Sequence, residues 1–313
     1  MPFDCAPAAV RGAIATLSVA AAGFAGVAAA QRPDIPPQAI AGPALGVVAV
    51  EQTQAIELPA NIELGQVASV AVDARGHLLV LHRGPQALLE FDTEGRFVRG
   101  FGADLFQRAH SLTIDADGNF WITDVAEHTV TKLDAEGRVL MTLAHPFEEP
   151  TDVAVAPDGS LFVTQGHTRG EPKVLKFGAD GTLLKSWGGR GTLPWQLAVA
   201  HSIAIGDDGL VYVADRENRR IQVFDLDGEF VKGWVYRGMA CGLTLANGRI
   251  YMTTGFDGQI VALDMNGRVQ GVTGRPGVGL GEYGEAHDIA VAPSGDLFVA
   301  DVVNRRLQKL AAL

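Results

Sequence analysis

The chain has 313 residues, 47% hydrophobic and 19% charged, with a formal net charge of −11. It is apolar enough to bury a sizeable core, which excludes a disordered chain. The negative charge argues against nucleic acid and anionic membrane surfaces as partners, because the phosphate term is repulsive. Glycine, at 38 residues, exceeds the usual ~7% without any collagen period and signals many turns. Two cysteines, Cys5 and Cys241, are too few for a disulfide scaffold or a multi-cysteine zinc module.

The first element is an export signal. Arg11 precedes an uninterrupted run of small apolar residues from Gly12 to Ala30, ending in Ala28-Ala29-Ala30. That order predicts a signal peptide over residues 1–30, a mature chain starting near Gln31, and a secreted or periplasmic protein with no membrane attachment after cleavage. Cleavage removes Asp4 with Arg11, so the charge stays at −11. It also removes Cys5, so Cys241 has no partner for an intramolecular disulfide. Residues 31–45 are proline-rich and read as a linker.

From there the chain repeats. Six segments begin alike: VASVAVDARG (67–76), AHSLTIDADG (109–118), PTDVAVAPDG (150–159), AHSIAIGDDG (200–209), ACGLTLANG (240–248) and AHDIAVAPSG (286–295). Each pairs an alternating apolar run with a glycine turn, and further short runs follow. Four short strands per unit, at a period of 40–50 residues, predict blades of a β-propeller. The sixth copy stops after its third strand, and residues 46–59 carry strand character. The expected fold is all-β: six blades over 46–313, with the N-terminal strand completing blade six. A monomer is expected.

Two columns of the repeat carry chemistry. The residue before each first apolar run reads Ala68, His110, Thr151, His201, Cys241, His287. Histidine on alternate blades of a six-fold ring places three imidazoles about 120° apart around the axis, a metal site with an open face. Repeat copying would not leave the other three blades without it. The column after each second run reads Arg83, Val125, Gly166, Arg216, Gly255, Val302. It opens on the same face, so Arg83 and Arg216 can clamp a carboxylate there. A salt bridge from Arg216 to Glu217 is the alternative use. His77, His128 and His145 fall at turn or surface positions.

The blades resemble NHL repeats, most clearly at ADRENRRIQVFDLDG (214–228). The stretches AHSLTIDADGNFWITDVAEHTVTKLDAEG (109–137) and LPWQLAVAHSIAIGDDGLVYVADRENRRIQVF (193–224) resemble peptidyl-α-hydroxyglycine α-amidating lyase. The resemblance runs over most of 66–310 and is weakest in blade five. It implies zinc on His110, His201 and His287, and substrate contacts from Arg83 and Arg216. It also implies a structural calcium on Asp288 and the carbonyls of Val70 and Leu112. The family's catalytic tyrosine is His167 here, its neighbouring aspartate is Gln165, and its methionine before the last zinc histidine is Glu285.

The family splits the C–N bond of a carbinolamide into an amide and glyoxylate. The expectation for this chain is therefore a metal-dependent lyase on an α-hydroxyglycine-like or ureidoglycolate-like substrate bearing a carboxylate, small molecule or peptide. His167 stands as the replacement base, with a distal metal contact or a plain loop residue as its other readings, and Tyr283 is a second possible phenol. The competing classes are a lactonase-like metal hydrolase on the same scaffold and a non-catalytic NHL binding platform.

Overall fold

A computed structural model describes residues 36–313; the predicted signal peptide and the start of the proline-rich segment lie outside the described residues. Six four-stranded antiparallel sheets make the six blades. Blade one comprises Gln66–Val72, Leu78–Arg83, Gln86–Phe91 and Phe97–Ala103. Blades two, three and four start at Ala109–Ile114, Pro150–Val155 and Ala200–Ile205. Blade five starts at Leu243–Ala246. Blade six takes Ala286–Val291, Leu297–Asp301 and Arg306–Ala312 from the end of the chain. Its outer strand is Val47–Val50, antiparallel to Arg306–Ala312 with Val47 opposite Ala312. The strand is shorter than the 46–59 expected, because a short helix occupies Gln52–Ala55.

The sequence builds these sheets from two kinds of turn. The first hairpins close with Asp73–Gly76, Asp115–Gly118 and their equivalents, whose glycine N–H bonds back to the residue three earlier. Blade five turns instead on Asn247-Gly248, both at positive φ, the two-residue hairpin geometry that those residue types favour.

The core lies between blades. Each of six apolar clusters joins two neighbours: Phe162 and Val174 of blade three, for example, pack with Ile203, Val211 and Phe224 of blade four. The seam between blades six and one joins Phe298 and Leu307 to Val70 and Phe91. Each fully buried side chain of this size contributes about 1.5–3 kcal/mol. The second strands, such as Val211–Asp215 and Leu297–Asp301, are buried throughout because they meet a neighbouring blade on both faces. Outer strands such as Leu183–Gly188 are exposed.

Residues 36–45, read as a linker, run along blades four and five. Gln38 bridges Tyr236, Ala44 bridges Val272, and Ile40 packs on the core shared by those blades. Among the described residues no helix is long and apolar enough to cross a membrane.

Candidate active site

The histidine column sits where the innermost strands begin, and a β-bulge sets its direction. The register between first and second strands shifts between Ala109 and Ser111, between Ala200 and Ser202, and between Ala286 and Asp288. His110, His201 and His287 are each the extra residue. Bulges re-aim a side chain that simple alternation would place elsewhere. Blades one and three bulge at the matching Ala68 and Thr151.

The three imidazoles are 94–98% buried, and their ring centroids stand 4.7–4.9 Å apart. Each Nδ1 pairs with a carbonyl of the next blade: His110 with Thr151 at 2.7 Å, His201 with Cys241 at 3.2 Å, His287 with Ala68 at 2.7 Å. A carbonyl only accepts, so each Nδ1 carries the proton and each Nε2 keeps its lone pair. The three residues can each place a ligand atom within 4.8 Å of the other two. His110 Nε2 is buried with no hydrogen-bond partner. Burial, then the neighbouring His287 and His167 for His110 and Arg216 for His201, holds both well below the usual histidine range. Burial also pushes His287 down to about 3. Three neutral imidazoles whose ligand atoms come together, with His110 Nε2 otherwise orphaned, fit a divalent metal.

A carboxylate steadies the approach to each of these histidines. Asp124 accepts the Gln107 and Arg108 N–H groups, Asp215 accepts the Ala198 N–H, and Asp301 accepts the Gly284 and Glu285 N–H groups. At the matching position of blades one and three, His82 Nδ1 accepts the Gly65 N–H and Gln165 Oε1 accepts the Glu148 N–H.

His167 faces the triad, its ring centroid 4.8 Å from that of His110 and 5.5 Å from that of His201. Its loop is tight. Gly166 lies at φ 93°, and a Cβ there would meet Pro172 at 2.7 Å. Glu149 braces the loop by accepting the Thr168 and Arg169 N–H groups and the Thr168 hydroxyl. Burial, then the charges of Arg216 and Arg108, pushes His167 down to about 4.

Both predicted arginines line the same mouth. Arg83 donates Nε to the Ala109 carbonyl and Nη1 to Gln66. Burial and the nearby Arg108 bring it down to about 10. Arg216 pairs with Glu217 at 3.1 Å, the alternative use foreseen, but also points Nη1 at Glu285, 4.0 Å away. Burial raises Glu285, against the pull of Arg216, Arg83 and Arg108. Arg108 is a third mouth arginine that sequence reasoning missed; its place two residues before His110 was the available signal. Tyr283 does not reach the mouth: it is buried between blades five and six.

Beyond the histidines an axial channel of about 350 Å³ is lined by Val70, Leu112, Asp152 and Asp288 among others. Asp288 accepts the Ser69 hydroxyl and the Val70 N–H. Burial, opposed by Ser69 and reinforced by Asp152, raises Asp288 to about 7. Asp152, not singled out in the sequence, is raised by burial as well and accepts Ser202 and Ile203. Two carboxylates on opposite blades give this channel a donor set suited to a hard cation. Blade five has Gly242 in that ring, where a Cβ would meet the His287 carbonyl at 2.6 Å.

The remaining histidines lie away from the mouth. His77 pairs with Glu90, His128 is exposed, and His145 packs on Phe147 and Phe177.

The NHL-repeat profile matches residues 197–224. Peptidyl-glycine alpha-amidating monooxygenase B of Xenopus laevis is 36% identical over 214 residues, covering 55% of this chain and 24% of that protein. The chain thus spans about a quarter of that relative's length. A probable peptidyl-alpha-hydroxyglycine alpha-amidating lyase of Caenorhabditis elegans is 28% identical over 307 residues, covering 80% of this chain and 84% of that one. A streptogramin B lyase structure superposes with a TM-score of 0.62 at 16% identity, covering 81% and 95% of the two chains, and shows the fold alone. The resemblance to NHL propellers and to amidating lyases holds.

Proposed function

We propose that this lyase-like propeller cleaves the C–N bond of an α-hydroxyglycine derivative, releasing an amide and glyoxylate, in a metal-dependent reaction. The carrying observation is the buried triad of His110, His201 and His287 with His167 at its edge and arginines around the mouth. Zinc suits three imidazoles with an open face. Calcium suits Asp288 with the carbonyls of Val70 and Leu112. The working protein is an exported monomer without its first thirty residues, and its substrate is a small molecule or peptide with a carboxylate.

A divalent ion on the triad would supply Lewis acidity toward a substrate oxygen. Arg83 and Arg216 hold the substrate carboxylate and so orient the carbinol carbon. His167, kept neutral by its surroundings, accepts the hydroxyl proton. The C–O bond gains its second pair as the C–N bond breaks, and the departing amide nitrogen takes a proton from the His167 imidazolium. Every atom of the carbinolamide is then in the amide or in glyoxylate. The absence of carboxylates from the histidine set disfavours the hydrolase alternative.

Elemental analysis of the purified chain, followed by a glyoxylate-release assay on α-hydroxyhippurate and on ureidoglycolate, tests this reading. Release that vanishes on chelation and returns with zinc is the expected result. Release no faster than with metal-stripped protein on both substrates overturns it.

A further inference from the structure

Glu285 is an unusual acid for its place. Its side chain is 12% exposed, it stands two residues before His287, and its backbone is fixed by Asp301. Among the described residues its carboxylate accepts no hydrogen bond; the nearest cation, Arg216 Nη1, is 4.0 Å away, beyond hydrogen-bond distance. A nearly buried carboxylate normally has donors, and leaving its lone pairs unmet is costly. Here the open side is the mouth, within Coulombic reach of Arg83, Arg108 and Arg216.

The arginines around it are not equally engaged. Arg83 has two nitrogens committed to Ala109 and Gln66, and Arg216 has two committed to Glu217. The Arg108 guanidinium has no hydrogen bond or ion pair among the described residues, although its charge is felt by Arg83, His167 and Glu285. Glu217 already takes up part of the charge of Arg216, so among the described residues Arg83 and Arg108 are the guanidinium groups at the mouth with no carboxylate paired to them. A ligand carboxylate held by Arg83 and Arg216, with the unengaged Arg108 free to join them, is repelled from Glu285. The part of the ligand that meets Glu285 must therefore be a hydrogen-bond donor. A cationic amine is disfavoured by the three arginines, which leaves neutral N–H groups.

We propose that Glu285 is a specificity-determining residue that accepts N–H groups at the end of the ligand away from its carboxylate, so that the site selects ureido-type over simple acyl-type glycine derivatives. The assignment rests on the proposed reading of the site as one for α-hydroxyglycine derivatives, and it names the substrate class. A carboxylate that receives a terminal NH₂ makes a charge-assisted bond that a methyl group in the same place cannot replace.

Two stable, unhydroxylated probes separate the cases. N-carbamoylglycine and N-acetylglycine share the carboxylate, the carbonyl and the internal N–H, and differ in a terminal NH₂ against CH₃. Calorimetric titration of the intact metal-loaded chain is expected to favour N-carbamoylglycine by about 10- to 100-fold. Glu285→Met should erase that preference by weakening N-carbamoylglycine alone, and Glu285→Gln, which keeps an acceptor oxygen, should retain part of it. Equal binding of the two probes by the natural chain, no binding of either, or an undiminished preference in Glu285→Met overturns the assignment. The comparison on the natural chain stands even where the methionine variant fails to fold. The preference observed together with no glyoxylate release refutes the lyase reading and leaves the Glu285 assignment supported.

Discussion

Blades two, four and six share a backbone plan with blades one, three and five but use two of its positions differently. The first set places His110, His201 and His287 at the bulge, each behind an approach held by Asp124, Asp215 or Asp301. The second set places Ala68, Thr151 and Cys241 at the first position, and His82, Gln165 and Thr254 at the other. Blades one and three keep the bracing bond with neutral groups, whereas Thr254 turns to its own loop and bonds Gln259. The odd blades are not idle, since Thr151, Cys241 and Ala68 supply the carbonyls that fix the imidazole tautomers. One set of blades presents lone pairs and the other orients them.

The largest expected break in this division is His201→Ala. Bound metal, measured by elemental analysis, should fall from about one per chain to near zero. Turnover should fall by more than about 100-fold, the upper range for far milder changes around a metal. His167→Ala comes next: metal content should be unchanged while turnover drops about 100- to 10,000-fold, the usual range for losing a general acid–base group. Retained turnover in that variant would remove His167 from the chemistry.

The braces should differ in stability rather than in metal content alone. Asp215→Ala strands Arg220, whose Nε lies 2.7 Å from the lost carboxylate, and should cost about 3–5 kcal/mol by denaturant unfolding. Gln165→Ala, at the equivalent position of blade three, loses neutral bonds to Glu148 and Glu171 and should cost about 1–2 kcal/mol. Similar costs at the two sites would mean that charge at the brace is immaterial. The smallest effect is expected from Cys241→Ala. The Cys241 Sγ lies 4.0 Å from His201 Nε2 and outside the set of atoms that can share an ion, so metal stoichiometry should not change.

Repetition decided what could be read in advance. The six blades and the histidine column recur at blade spacing, so alignment of the chain with itself exposes both. The bulge that aims His110, His201 and His287 leaves no such mark, because one extra residue does not disturb the alternation of the runs around it. The ring two residues earlier reads Gln66, Arg108, Glu149, Val199, Met239 and Glu285. Only glutamate recurs in it, at Glu149 and Glu285, and arginine stands once, which is why Arg108 went unseen; Glu285 stood out only as a departure from a resemblance. Asp152 was hidden in the opposite way, within a strand start that looks like its neighbours. Glu149, which holds the His167 loop from the residue just before the first strand of blade three, lies eighteen positions earlier in the chain and can be connected to it only by the fold.

The bonds from each Nδ1 to the next blade have a mechanical side. His110 ties blade two to three, His201 ties four to five, and His287 ties six to one. The alternate seams are tied by other groups: the Leu112 N–H to Ser69, Ser202 to Asp152, and Thr253 to the His287 carbonyl. Together they form a hoop around the axis, with every second link passing through an imidazole. An ion at the centre would act as the hub of a wheel, joining three links that otherwise touch only their neighbours. No pair of adjacent blades holds two of the three ligands, so ion capture senses completion of the whole ring, and the free energy of binding is added to the stability of the closed ring alone.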